Sequence, residues 1–328
     1  MYEFLLSNQR LKENFASAFA NASVPHAILL QGPKGVGKKT AAVYLAASIL
    51  CETASGFACG LCPSCRKAFA SIHPDIVLNL PSGGAKSFHV DTVREMKADA
   101  FIAPNESSHK IYIAADIDDM TEAASNAFLK ILEEPPPFVI FILTCRESAS
   151  LLPTILSRCV LFPVSLMSEE DCSALLKKRF PLVPDEKIRR FSALFSGNIS
   201  LCTAALENEA DAKKLLLADE FCRLLVSAGS FDSLAAITVL DKDRAAFLQF
   251  LARISLIMGD VCTAKSTSRA PLCGNEDLIA EIAPLYSLNA ALQVLAVCEK
   301  CKSLVLSNTG IPLISCFLHG NLKNILSR

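Results

Sequence analysis

The run Gly32-Pro33-Lys34-Gly35-Val36-Gly37-Lys38-Lys39 limits what this chain can become more than any other stretch. Glycines 32, 35 and 37 let the backbone curl so that its amide groups face an anion, and Lys38 is placed to reach the terminal phosphates of a nucleotide. The apolar Ala27-Ile28-Leu29-Leu30 precedes the run, and a helical stretch from Thr40 to Leu50 follows it. A buried strand, a glycine-rich loop and a helix N-terminus in that order form the setting a phosphate-binding loop requires. The last position departs from the pattern. Lys39 stands where a Ser or Thr hydroxyl should hold Mg²⁺, and Thr40 lies one residue on, about 100° further round the helix. A second cation at that place argues against efficient hydrolysis and leaves open whether ATP or ADP is held. The candidate nucleotide-binding residues are Gly32, Gly35, Gly37, Lys38, Lys39 and Thr40.

Strand and helix signals alternate through the first half. Short apolar runs at 27–31, 75–80, 110–114, 139–143 and 159–164 read as buried strands, with helices at 38–50, 90–101 and 122–132 between them. That alternation predicts a parallel sheet covered on both faces, an α/β fold. Beyond Pro163 the strand signal stops. Ser168 ahead of Asp171 resembles a helix cap, and helices are expected over 169–179, 184–195 and 200–208, then over 212–228, 243–262, 278–287 and 290–307. The polar 264–275 segment reads as a loop. The expected domains are 1–165, 166–209 and 210–328.

The third strand should end in the acidic residues that hold Mg²⁺ and orient water in an active ATPase. Here it ends in Ala115-Asp116. Asp116, Asp118 and Asp119 read either as metal ligands or, preferably, as solvated residues at a strand end and helix start. Two defects at the metal position agree, and turnover should be very weak.

Fourteen cysteines would suggest disulfides in a small secreted chain. The opening Met1-Tyr2-Glu3-Phe4 has no signal-peptide pattern, and no uncharged apolar run is long enough for a bilayer, so reduced thiols in a cytoplasmic protein are expected. A formal net charge of −1 predicts no strong general attraction to nucleic acid and leaves room for a local basic face. Cys51, Cys59, Cys62 and Cys65 have the spacing C-x7-C-x2-C-x2-C, which suits tetrahedral Zn²⁺ held by four thiolates. Scattered core cysteines or an iron–sulfur ligand set are the alternatives. The other ten, Cys145, Cys202 and Cys222 among them, read as small core residues.

A chain of motifs in order then carries a resemblance. The loop leads to Cys59-Gly60-Leu61-Cys62-Pro63-Ser64-Cys65, then His73-Pro74-Asp75. Ser125-Asn126-Ala127-Phe128-Leu129-Lys130-Ile131-Leu132-Glu133-Glu134-Pro135-Pro136 and Phe141-Ile142-Leu143-Thr144 follow, and Leu156-Ser157-Arg158-Cys159 is last. Over residues 25–165 the chain resembles the bacterial DNA polymerase III clamp-loader subunits of the delta-prime and gamma/tau kind. The resemblance implies an AAA+ P-loop module with a zinc-binding insertion, a small helical lid and an all-α collar that joins a hetero-pentamer with gamma/tau and delta subunits. It implies work on the sliding clamp and primer-template DNA through the complex, in the cytoplasm and without a membrane.

It also implies that Arg158 acts in trans on ATP bound to a neighbouring subunit; a surface salt-bridge partner is the plainer reading of that residue. A motor of the family would have Thr at Lys39, Asp at Ala115, Glu at Asp116 and Arg at Ser200, in Gly197-Asn198-Ile199-Ser200. Thr144 fits the first sensor position but alone says little. Those departures, in a chain with no long C-terminal extension, favour a delta-prime-type stator without ATPase activity of its own. An ATP-hydrolysing gamma/tau-type subunit and a free-standing P-loop nucleotide enzyme are the alternatives. Lys130 and Glu134 are spaced for one helix face ahead of the Pro135-Pro136 stop, a structural helix end and subunit-contact surface.

Overall fold

The computed structural model describes residues 8–20, 24–53, 56–80, 88, 90–227, 230–241, 243–265, 271–273 and 275–326. The opening residues 1–7 and part of the expected 264–275 loop lie outside them. The chain divides into two compact units, Met1–Met167 and Ser168–Arg328.

In the first unit α1 (Gln9–Ala20) is followed by β1 (Ala27–Gln31), α2 (Lys38–Ile49), α3 (Pro63–Phe69), β2 (Ile76–Asn79) and α4 (Val90–Ala100). Then come β3 (Lys110–Ala114), α5 (Glu122–Glu133), β4 (Val139–Cys145), the single-turn α6 (Pro153–Leu156) and β5 (Val160–Pro163). The five strands form one parallel sheet in the order β2-β3-β4-β1-β5. Ala27 faces Phe141 across the β1–β4 pair and Ile28 faces Val160 across β1–β5. This is the parallel α/β module that the resemblance implies.

Both faces of the sheet are covered, which is why its central strands are buried throughout rather than at alternate residues. Leu29, Tyr112, Phe141 and Leu143 face a cluster formed with Val93 and Met96 of α4 and Phe128, Ile131 and Leu132 of α5. The other face is covered by α2, whose Ala41, Ala42, Leu45 and Ala46 are fully buried. Its small side chains let that helix lie close to the strands, so the loop at its N-terminus is held by the middle of the core. At the β5 edge, Phe15 of α1 packs on Phe162, ring centroids 5.6 Å apart.

The second unit is helical: α7 (Glu169–Arg179), α8 (Asp185–Leu194), α9 (Ile199–Glu207), α10 (Glu209–Ser227), α11 (Ser230–Ile237), α12 (Arg244–Ala264), α13 (Glu276–Ile282), α14 (Leu288–Leu306) and α15 (Ile311–Leu326). Ser168 caps α7 as expected, its hydroxyl accepting the Asp171 amide at 3.0 Å. Phe221, Phe247, Leu251, Ile254, Met258, Val294 and Leu318 build a core from α10, α12, α14 and α15. Inside this unit Arg253 makes a bidentate pair with Asp219 (2.8 and 3.0 Å) and donates to the Leu194 carbonyl. Asp260 accepts the amides of Leu272 and Cys273. α12 has the length and hydropathy of a membrane span, but Arg253 and Asp260 interrupt it and its apolar side chains fill this core.

All fourteen cysteines are free thiols. Seven of the ten outside the cluster are buried core residues; Cys159 and Cys262 are half-buried, and Cys316, on α15, is exposed.

Candidate functional site

The loop between β1 and α2 has the backbone its glycines predict. Gly35 and Gly37 adopt φ of 88° and 89°, a left-handed conformation that costs a glycine nothing and other residues a good deal. Gly37 is the helix N-cap and supplies no side-chain cap, so the first-turn amides of α2 are left facing the loop. Gly32 is required for a different reason. Its amide donates to the Cys145 carbonyl at 3.2 Å, and an added Cβ would lie 2.1 Å from the Val164 carbonyl oxygen. That oxygen belongs to backbone pinned to Gln31 at 2.7 Å, so it cannot retreat. Gly32→Ala is expected to destabilise the first unit by about 3 kcal/mol, read as a lowered denaturation midpoint.

Lys38 is buried, and its ammonium donates to the carbonyls of Gly32 (2.7 Å) and Pro33 (2.9 Å), which keeps it inside the concavity of the loop. Burial lowers its pKa, and the Asp116 and Asp118 carboxylates oppose that shift. Lys39 is exposed and its Nζ lies 4.0 Å from the Asp116 carboxylate. Thr40 follows on α2, half-buried.

Asp116 sits just beyond β3 with φ 54°, a left-handed conformation unusual for a residue with a side chain. Its amide donates to the Thr144 hydroxyl at 2.9 Å, a buried oxygen at the end of β4, and that bond fixes the turn. Thr144 thus has a definite partner, which its strand-end position alone did not give. Asp118 corrects the sequence reading. It is neither solvated nor open to a metal: its side chain is 3% exposed and accepts the Arg146 amide (2.7 Å) and Nε (3.2 Å), with Ser150 and the Glu147 amide at 3.4 Å. It holds the 146–150 loop. The side chain of Asp119 lies outside the described residues.

Arg158 lies between α6 and β5. Its Nη1 donates to the Thr154 carbonyl (2.8 Å) and the Ser157 hydroxyl (3.3 Å), and its Nη2 to Glu133 Oε1 (2.8 Å). The guanidinium is partly exposed, and the pair is the surface ion pair that the plainer reading expects. Glu133, the last residue of α5, finds this cation, while Glu134 is the C-cap with non-helical angles.

The four sulfurs of Cys51, Cys59, Cys62 and Cys65 all lie within 4.8 Å of one another, with Cys59 and Cys65 at 3.9 Å. Four thiolates at Zn–S of about 2.3 Å would stand about 3.8 Å apart, so the set has the dimensions to hold a metal ion. Amides complete it: those of Leu61 and Cys62 point at the Cys59 sulfur (3.5 and 3.4 Å), and that of Cys65 at Cys62, the N-cap of α3. The Cys62 and Leu61 amides hold the Cys59 thiol down to about 6, whereas burial pushes Cys65 up.

A buried polar hub fastens this module to the sheet. Ser64 of α3 shares a hydrogen bond with His73 Nε2 (3.1 Å), and His73 Nδ1 accepts the Asp75 amide (3.1 Å). Asp75 is fully buried and accepts the amides of Asn105 (2.6 Å), Glu106 (3.0 Å) and Ser107 (2.9 Å), plus the Asn105 side chain (3.0 Å). Burial alone would raise its pKa; the converging amides outweigh it and bring it to about 2. The folded value lies below the ordinary carboxylate value, so the stabilisation is present above about pH 4 and is lost as pH falls toward 2. Asp75→Ala is expected to cost about 3 kcal/mol at pH 7 and much less at pH 2, measured by urea unfolding at the two pH values.

Comparison with known proteins yields four findings beside this geometry. A family model described as DNA polymerase III, delta subunit, matches residues 7–168. The DNA polymerase III subunit delta' of Pseudomonas aeruginosa is 34% identical over 174 residues, 53% of this chain and 53% of that protein, so the matched region spans about half of the relative. The subunit delta' of Yersinia pestis is 28% identical over 295 residues, 87% of this chain and 85% of that one. Among solved structures, a gamma subunit-related protein of DNA polymerase III from Thermotoga maritima superposes with a TM-score of 0.52 at 18% identity, covering 97% and 99% of the two chains. That likeness speaks for the fold.

Proposed function

Because the chain belongs, through residues 7–168, to the delta-prime clamp-loader family of DNA polymerase III, we propose that it is a non-hydrolysing clamp-loader subunit. In this reading it joins gamma/tau and delta subunits in a hetero-pentamer and serves as a stator while the loader places the sliding clamp on primed DNA in the cytoplasm. Residues 166–209 form the lid and 210–328 the collar. The large apolar cluster of the second unit begins at Leu217, while Cys172, Leu176, Ile188 and Cys202 are buried outside it, which supports that division even though Arg253 bonds the Leu194 carbonyl across it.

The observation that carries the reading is a phosphate loop intact in backbone but altered in its metal ligands, in the same unit as an accessible Arg158. Lys39 and Ala115 take away the oxygens that an ATPase needs, while a guanidinium placed against a neighbour's γ-phosphate can stabilise the charge that develops during transfer. The pair with Glu133 does not prevent this, because an exposed ion pair is worth only about 0–1 kcal/mol and a polyphosphate is the stronger anion. The four-cysteine module holds a structural zinc ion in this account. Closed coordination by four thiolates leaves the metal no open position for catalysis.

Reconstitution tests the proposal. Gamma/tau and delta subunits are assembled with and without this chain, and ATP turnover is followed with primed DNA and clamp. The chain alone should release no phosphate, and its addition should raise turnover by the motors. Steady turnover by the isolated chain would favour the gamma/tau-type or free-standing enzyme reading instead.

A further inference from the structure

The alternative to a metal at the phosphate loop is built into the chain itself. Mg²⁺ requires near-octahedral oxygen coordination and is usually held by one or two protein oxygens plus the phosphates. None of the expected donors is available here. Lys39 puts an ammonium at the hydroxyl position, and Ala115 puts a buried methyl where the first carboxylate belongs. Asp118 is taken up by the Arg146 loop, and Asp116, the carboxylate still facing the loop, lies 4.0 Å from the Lys39 ammonium. Mg²⁺ does not fit this donor set.

The anion side of the site is nevertheless kept. Gly35 and Gly37 hold the left-handed turns, the first-turn amides of α2 have no side-chain cap, and Lys38 is buried within the loop. Lys38 lies within the loop, and the half-exposed Lys39 lies beside it near Asp116, so both ammonium groups can reach phosphate oxygens bound there. A compact ammonium can supply counter-charge there without a metal's geometry.

We propose that this loop binds a metal-free nucleoside triphosphate, with Lys38 and Lys39 as its two counter-charges and Asp116 as the resting partner of Lys39. Binding is then indifferent to divalent cations. The site keeps a nucleotide as a fixed structural ligand, since nothing at it activates water. This concerns the loop alone and stands or falls independently of the role of Arg158.

The test is titration calorimetry of the full chain with ATP, once in excess EDTA and once in millimolar MgCl₂, for wild type, Lys39→Thr and Asp116→Asn. Wild type is expected to bind with the same Kd, within about twofold, in both buffers. Lys39→Thr should bind about tenfold more weakly in EDTA, through loss of one close counter-charge. Asp116→Asn should bind as tightly as wild type or more tightly, because it frees Lys39. Both positions are solvent-accessible, and unchanged melting curves confirm that the variants fold. Tenfold tighter wild-type binding in Mg²⁺, equal binding by wild type and Lys39→Thr in EDTA, weaker binding by Asp116→Asn, or no heat up to millimolar ATP would each overturn the proposal.

Discussion

Arg158→Ala in this chain is expected to slow ATP hydrolysis at the one motor site that faces it by about 10³-fold, the low end of what a trans-acting arginine supplies. The site is isolated by assembling a loader in which the other motor subunits carry substituted P-loop lysines, and following phosphate release. The loss should fall on the rate and not on assembly, because Arg158 makes one surface ion pair and two short local hydrogen bonds in the free chain. Removing those contacts should cost under about 1 kcal/mol of stability. Arg158→Lys should rescue little, since a point charge does not reproduce the planar fork that engages two phosphate oxygens. Glu133→Gln separates the two readings of the arginine. If the pair were the residue's whole purpose, Glu133→Gln and Arg158→Ala would behave alike. In the present account Glu133→Gln leaves hydrolysis near the wild-type rate.

The second large effect concerns the four cysteines. Protein purified without chelator is expected to carry about one zinc per chain, and Cys65→Ser to carry none after dialysis. Cys65 is fully buried, its sulfur also lies 3.7 Å from the Ala47 carbonyl of α2, and its amide meets the Cys62 sulfur. The substitution therefore removes a ligand and leaves a polar gap against the helix that carries the phosphate loop. Structural zinc sites contribute about 10–16 kcal/mol of apparent binding free energy, which outweighs any single contact here. The module should lose protease resistance first, near residues 51–65. Stoichiometric iron with sulfide in place of zinc would contradict the assignment of the metal.

Much of the first unit was legible because its signals are local. The runs at 27–31 and 110–114 are apolar but for Gln31 at the end of one and Lys110 at the start of the other, and both strands occur at those bounds. The C-x7-C-x2-C-x2-C spacing gathered its sulfurs, since three of the four lie within seven consecutive residues. What escaped depends on contacts between distant residues. Asp75 and Asp118 look like strand-end carboxylates in the sequence, and only folding brings the amides of 105–107 and 146–147 to them. The Arg158–Glu133 pair spans two elements for the same reason. α3 was hidden because Pro63, a turn signal by composition, begins a helix whose cap is the Cys62 sulfur. α11 and α15 were not assigned, the latter because Gly310 and Pro312 at its start and Gly320 within it obscure the helical period. The left-handed Asp116 had no sequence signal, since its conformation is fixed by Thr144 from another strand.

The central claim, that this chain lends an arginine and burns no ATP, is tested most directly by two substitutions compared in one reconstituted loader. DNA-stimulated ATP turnover is measured with this chain as wild type, Arg158→Ala or Lys38→Ala, the other subunits being unchanged. The account predicts that Arg158→Ala cuts turnover while Lys38→Ala leaves it near the wild-type rate. Equal loss from Lys38→Ala would mean that the altered phosphate loop still turns over ATP, and would contradict the stator assignment.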